Sequence, residues 1–342
     1  MSKTIVLTGI TGFIAKHIVL KLLNEGYTVR GTLRASSRPE PVLAAIRPFL
    51  NSNVNLEEQL SFVELDLNKD EGWGEAMQSA DVLLHTASPF PIAQPKDEDE
   101  LIRPAVDGTL RALRAAKAAG IKRVVLTSSM AAVMNKKLPD WQTDYNDTDW
   151  TDLSLDYVTP YDKSKTMAEK AAWEFVEKEA PEIALTTINP GLVLGPSLDE
   201  HFGSSLEIVE RVLKASDPAV PDVHIPGVDV RDVAEMHVLA IEKEESIGQR
   251  CLAVAADLSF PQMAKILAEQ YPDRKIATRI APKWLLAILK LFDPQVKAIY
   301  PVLGLKRTAD TSVSRETLGI EFMPIKESVL AAAESVIAYR SL

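Results

Sequence analysis

A chain of 342 residues, 46% hydrophobic and 25% charged, is long enough for one large or two unequal domains around a sizeable core. Its net charge of −10 argues against a nucleic-acid or anionic-membrane partner for the molecule as a whole, although a local basic pocket can hide in that balance. A single cysteine, Cys251, excludes an internal disulfide and fits a reducing, cytoplasmic compartment.

The chain enters an apolar run over 4–8 with no leader-like pattern before it. Thr8-Gly9-Ile-Thr11-Gly12-Phe13-Ile14-Ala15 follows and opens a helix over 13–25. Gly9 permits a tight turn, Gly12 lets backbone approach a pyrophosphate at the helix N-terminus, and Ala15 keeps helix and strand close. The second strand, 28–33, ends in Leu33-Arg34 with Ser36, Ser37 and Arg38 behind it. An NAD site places a carboxylate there. Guanidinium and hydroxyl groups suit a 2′-phosphate instead, so the cofactor expected is NADP(H).

Helices are expected over 41–50 and 72–78, with a strand over 61–66 ending at Asp66-Leu67, placed to cradle an adenine edge. A fourth strand, 82–86, ends in His85-Thr86-Ala87-Ser88-Pro89, where ligands lie in parallel sheets. Asp97 to Glu100 reads as a solvated acidic loop. Apolar positions at helical spacing mark a helix over 104–119. A fifth strand, 123–128, runs into Thr127-Ser128-Ser129, and either serine hydroxyl could meet a substrate oxygen.

Thr159-Pro160 reads as an N-cap and first helical residue for 160–179. Tyr161 and Lys165 then lie one turn apart on one face, where an ammonium can favour a phenolate. A sixth strand, 185–189, leads to Pro190 and Gly191. Later, 228–237 and 249–254 read as a return to the main sheet, while 197–225 and 258–325 show only short helices. Trp284 to Phe292 is the greasiest run, far shorter than a membrane span, and reads as a buried or pocket-lining helix. His17, His201, His224 and His237 have no metal-ligand spacing, so no metal is expected.

Strand–helix alternation predicts an α/β fold with a doubly wound parallel sheet, a Rossmann domain over 1–196 and about 226–257. A smaller, mostly C-terminal substrate-binding region takes about 197–225 and 258–342. Thr8-Gly9-x-x-Gly12-Phe-Ile-Ala15, Asp66-Leu67, Thr127-Ser-Ser129, Tyr161-x-x-x-Lys165 and Asn189-Pro-Gly191 together resemble the extended short-chain dehydrogenase/reductase family. Arg34, the His85–Pro89 run and Ala171-Ala-Trp-Glu-Phe175 resemble its dihydroflavonol 4-reductase branch, which includes microbial aldehyde and ketone reductases.

The resemblance implies Ser129, Tyr161 and Lys165 as the catalytic set. It implies cofactor contacts at Thr8, Gly9, Thr11, Gly12, Phe13, Ile14, Arg34, Asp66, Leu67, Thr86, Ala87, Ser88, Thr127, Tyr161, Lys165, Pro190, Gly191 and Val193. Met130 departs from the small residue usual after the serines, which leaves Ser128 and Ser129 as alternatives. The partner expected is a small carbonyl or alcohol substrate, in an apolar pocket drawing on Phe90, 201–205 and 284–292, with no nucleic acid and no membrane. The protein is a monomer or homodimer, the helices over 104–119 and 160–179 suiting either a dimer interface or sheet packing. The competing readings are an NAD-dependent sugar-nucleotide epimerase or dehydratase, a steroid dehydrogenase/isomerase, and a non-catalytic dinucleotide sensor.

Overall fold

The computed structural model describes residues 3–35, 37–88, 97–140 and 142–341; Ser36, Pro89 and Phe90 lie outside the described residues. The strands are β1 (Thr4–Thr8), β2 (Thr28–Leu33), β3 (Leu60–Glu64), β4 (Val82–His85), β5 (Arg123–Thr127), β6 (Ala184–Pro190), β7 (Leu192–Leu194), β8 (His224–Asp229), β9 (Arg250–Ala253) and β10 (Ala256–Ser259). The first helices are α1 (Phe13–Asn24), α2 (Pro39–Ile46), α3 (Leu56–Gln59), α4 (Trp73–Met77), α5 (Asp99–Ala118) and α6 (Pro160–Lys178). Then come α7 (Gly203–Leu213), α8 (Val230–Glu242), α9 (Phe260–Gln270), α10 (Lys283–Leu289), α11 (Pro294–Ile299), α12 (Ser312–Leu318) and α13 (Ile325–Arg340).

Seven parallel strands form the main sheet in the order β3-β2-β1-β4-β5-β6-β9. Alternate side chains feed two separate cores, as a pleated strand requires. Ile5, Leu7, Val82, Leu84 and Val125 pack with α1, α2 and α8. Val6, Leu83, Val124 and Leu126 pack with α4, α5 and α6 on the other face. Strand order reverses between β1 and β4, so the crevice beyond their carboxyl ends is the natural ligand position.

Three features differ from the sequence expectation. The helix expected from Pro104 begins at Asp99, so Pro104 lies inside it, and Asp99 and Glu100 form a first turn that favours acidic residues. Residues 228–237 do not return to the sheet: Asp229 caps the N-terminus of α8 through its side chain, and α8 packs on α1. Only β9 returns, beside β6. A second sheet, β10-β8-β7, was not anticipated because its strands are short and β8 carries Pro226 and Gly227. It shares a third core with α7, α9 and α13.

The two sheets meet at Gly191, where a Cβ would lie 2.0 Å from the Pro226 carbonyl oxygen. Gly191→Ala should therefore cost about 4 kcal/mol or more. Gly74→Ala, at a helical glycine with open space around it, should be neutral or stabilise by up to about 1 kcal/mol. Urea unfolding of both variants tests this; equal stabilities would remove the close approach from the argument.

Candidate active site

The turn after β1 is tight and could hold an anion. Gly9 takes φ +69°, and a Cβ there would sit 2.9 Å from Cβ of Ala87 at the end of β4. Its N–H donates to Thr32 Oγ1 at 3.1 Å, while the Gly12 N–H donates to the Gly9 carbonyl at 2.9 Å. Gly12 caps α1 without a side chain, leaving the helix's first N–H groups to a ligand. Thr11 and Gly12 are exposed, Phe13 and Ile14 half-buried, and Ala15 is packed inside. Arg34 and Arg38 stand exposed just past β2, with no carboxylate between them in the chain.

Thr8 locks β1 to β4. Its hydroxyl oxygen accepts the N–H groups of Thr86 and Ala87, each at 3.1 Å, so its own hydrogen is left for Nδ1 of His85 at 2.8 Å. His85 must then be neutral. Burial, aided by the Lys165 charge, pulls its pKa down to about 3. His85 thus serves here as a hydrogen-bonded link between the ends of two strands.

The two serines after β5 part company. Ser128 donates to buried Glu169 at 2.5 Å. The Ser129 hydroxyl accepts the Ala131 N–H at 3.1 Å and shares a hydrogen bond with the Tyr161 phenol. Thr127 turns to the opposite face, where its hydroxyl meets Nε2 of His237 at 2.7 Å and ties β5 to α8. Thr127 is thus spoken for by a structural bond, although the motif places it among the cofactor residues.

Tyr161 and Lys165 occupy the first turns of α6, started by a capping box between Thr159 and Asp162. The Lys165 ammonium lies 5.7 Å from the Tyr161 ring centroid, and both side chains are half-buried. Burial lowers the Lys165 pKa to about 8, with Glu169 opposing the shift. Burial raises the Tyr161 phenol, while the Ser129 hydrogen bond works against that. Here the phenol is a protonated weak acid.

Glu169, one further turn along the same face, had no part in the sequence reading. It accepts hydrogen bonds from Ser128, Asn189 (2.7 Å), Thr187 (3.2 Å) and Trp173 (3.3 Å), and pairs with buried Arg250 at 2.6 Å. The spacing from Tyr161 through Lys165 was its visible signal. Arg250 stacks 3.7 Å from the Trp150 ring centroid and donates to the Asp147 and Asp149 carbonyls.

Other expected residues sit apart from this cluster. Asp66 caps its own turn by accepting the Asn68 N–H at 2.9 Å, and Leu67 backs onto Gly108. Ser88 is half-buried past β4, Pro190 ends β6, and Val193 is buried in the core with Ile188 and Val228. Of the expected substrate residues, His201 instead lies beside the glycine turn. Buried Lys16 of α1 needs a counter-charge, pairs with Asp199 and donates to the His201 carbonyl, which pulls that segment onto α1. On α10 and in the turn after it, Trp284, Leu291 and Phe292 face solvent, while Leu285, Leu286 and Leu289 line a cavity of about 380 Å3 with Phe260 and Val296. Among the described residues no cluster could hold a metal ion.

An open parallel sheet with an anion cradle at its switch point and Ser129, Tyr161 and Lys165 at the neighbouring edge defines a dinucleotide-binding α/β protein. Residues 5–253 match the NAD dependent epimerase/dehydratase family, and the chain belongs to it, within the extended short-chain dehydrogenases/reductases. An NADPH-dependent methylglyoxal reductase of Saccharomyces cerevisiae is 31% identical over 98% of both chains. A cinnamoyl-CoA reductase of Medicago truncatula is 32% identical over 98% of this chain and 96% of its own. The crystal structure of yeast methylglyoxal/isovaleraldehyde reductase complexed with NADPH superposes with a TM-score of 0.80, at 30% identity and 99% coverage of each chain.

Removing the Glu169 charge strands a buried guanidinium. Glu169→Gln should lower stability by about 3 kcal/mol, read from urea unfolding. A loss below about 1 kcal/mol, the range of an exposed pair, would show that Arg250 finds another partner.

Proposed function

We propose that the chain is an NADPH-dependent reductase of aldehyde or ketone carbonyls, running alcohol oxidation in reverse. The observation that carries this is the Ser129–Tyr161 hydrogen bond with Lys165 alongside, at the sheet edge next to the glycine cradle. The residues present fit the cofactor: uncapped N–H groups at α1 suit a pyrophosphate, and Arg34 and Arg38 suit a 2′-phosphate. The names of the reductases this chain resembles agree. A tightly held NAD, as the epimerase reading requires, would favour a carboxylate after β2, and Arg34 stands there.

When bound, the cofactor supplies the hydride. Ser129 orients the carbonyl oxygen by hydrogen bonding, and Tyr161 gives its proton to that oxygen as negative charge develops on it. A phenol whose pKa burial has raised keeps this proton throughout the neutral range. The Lys165 ammonium lowers the cost of the tyrosinate left behind. Lys165 carries its charge below about 8 and loses it above, so the same pH rise that leaves Tyr161 protonated removes the cation beside it.

Tyr161→Phe should therefore lower kcat by a factor of ~10²–10⁴ with little change in NADPH affinity. In the unaltered protein, kcat/KM for reduction should be level near neutrality and fall as pH rises through about 8. Near-normal turnover by the phenylalanine variant sinks the assignment; a flat profile up to the tyrosine range removes Lys165 from it.

Reversing the charge after β2 tests the cofactor separately. Arg34→Glu should weaken NADPH by about 10- to 100-fold and NADH by much less, as fluorescence titration would show. Equal losses for the two would mean that Arg34 does not read the phosphate.

A further inference from the structure

Seven of the eleven exposed large hydrophobic side chains of the described residues fall between Ile280 and Leu305. Trp284 and Ile288 lie four residues apart on one side of α10, and Leu291 and Phe292 follow in the turn just beyond its end. That surface looks outward: Trp284 is 68%, Leu291 72% and Phe292 79% exposed. The inner side is packed, since Leu286 is buried and half-buried Leu285 lines the cavity beneath. A helix whose inner side already has its core does not need a second apolar side for folding.

Charge marks the same place. Residues 274–306 carry seven Lys and Arg against one carboxylate, Asp293, within a chain of net charge −10. Lys275, Arg279, Lys283, Lys297 and Lys306 are exposed, and Lys290 lies 3.8 Å from the Tyr300 ring centroid. An apolar stripe with tryptophan and phenylalanine, edged by lysines, fits the headgroup boundary of an anionic bilayer, where the rings enter and the ammonium groups meet phosphate.

A second copy of the chain fits less well. Facing itself, the patch would set like charges against each other. Facing any other part of the molecule, it would meet, among the described residues, only scattered exposed large apolar side chains (Phe49, Met167, Ile247 and Tyr339). Among the described residues no helix is long and apolar enough to cross a membrane, so the attachment is to one surface.

We propose that the surface formed by α10 and the turn after it docks this protein reversibly on anionic lipid surfaces, through Trp284, Leu291, Phe292 and the surrounding lysines. The net charge of the chain conceals this patch, because acidic residues elsewhere outweigh it. The proposal stands independently of the reductase reading.

Co-sedimentation of the full chain with vesicles tests it. Phosphatidylcholine vesicles containing about one-third phosphatidylserine should retain the protein at least ~10-fold better than phosphatidylcholine alone, and raising the salt to 0.5 M should release it. Trp284→Ser/Phe292→Ser should reduce retention ~10-fold or more, and Lys283→Glu/Lys297→Glu should do the same on charged vesicles only. Circular dichroism and thermal unfolding of each variant, unchanged from the parent, separate lost docking from lost folding. No retention on charged vesicles overturns the proposal. So does retention that ignores salt and both pairs of substitutions. A concentration-dependent dimer abolished by Trp284→Ser/Phe292→Ser, with no vesicle binding, assigns the face to a second copy and overturns it equally.

Discussion

A buried carboxylate organises the candidate site. Glu169 sits beneath the edge of the sheet and draws donors from the ends of β5 and β6, from its own helix and from β9. An uncompensated charge in that position would cost several kcal/mol, so its partners are held where the carboxylate needs them. Because Ser128 and Asn189 are fixed in this way, the chain beyond β5 leaves its strand with Ser129 directed at Tyr161. The α6 helix is thereby keyed to the sheet at the one level where its first turn overhangs the ligand crevice.

The same charge reaches the proposed chemistry through Lys165. Burial alone would push that ammonium further toward neutrality, and Glu169 resists the shift. His85 completes the environment as a neutral ring, held so by the hydroxyl of Thr8 rather than by a carboxylate. Two cations side by side would be costly here. A histidine that cannot become charged lets Lys165 remain so, which makes the Thr8–His85 bond part of the electrostatic arrangement as well as a stitch between β1 and β4.

Much of this was legible in the chain. Strands β1 to β6 and helices α1 and α6 lie within two residues of the positions read from alternation and capping, because each has a strong local cause. Asp229 shows where local reading failed: a cap followed by Val230, Val233, His237 and Ile241 announces a helix, but the β-branched residues favoured a strand. The β7–β8–β10 sheet had no local signal, being made of short pieces whose partners are far along the chain. In the site, Tyr161 and Lys165 were visible because helical spacing relates them. Extending that spacing by one turn reaches Glu169, whereas Arg250 and Asn189 come from later strands and only the sheet order joins them. Ser128 and Ser129 were inseparable for a similar reason: which one faces Tyr161 depends on where the strand ends.

Averages hide what position reveals, and this holds for charge at both scales. A chain of net charge −10 keeps seven cationic residues against one carboxylate over 274–306, and inside it sets Lys16 against Asp199 and both Lys165 and Arg250 around Glu169. These three desolvated cations keep a carboxylate nearby because an unpaired charge there is costly. The surface cations are under no such compulsion, since water satisfies them. Their concentration around exposed Trp284 and Phe292, with α10 already packed on its inner side, is therefore not explained by folding, and a partner outside the chain is what such a surface is suited to meet.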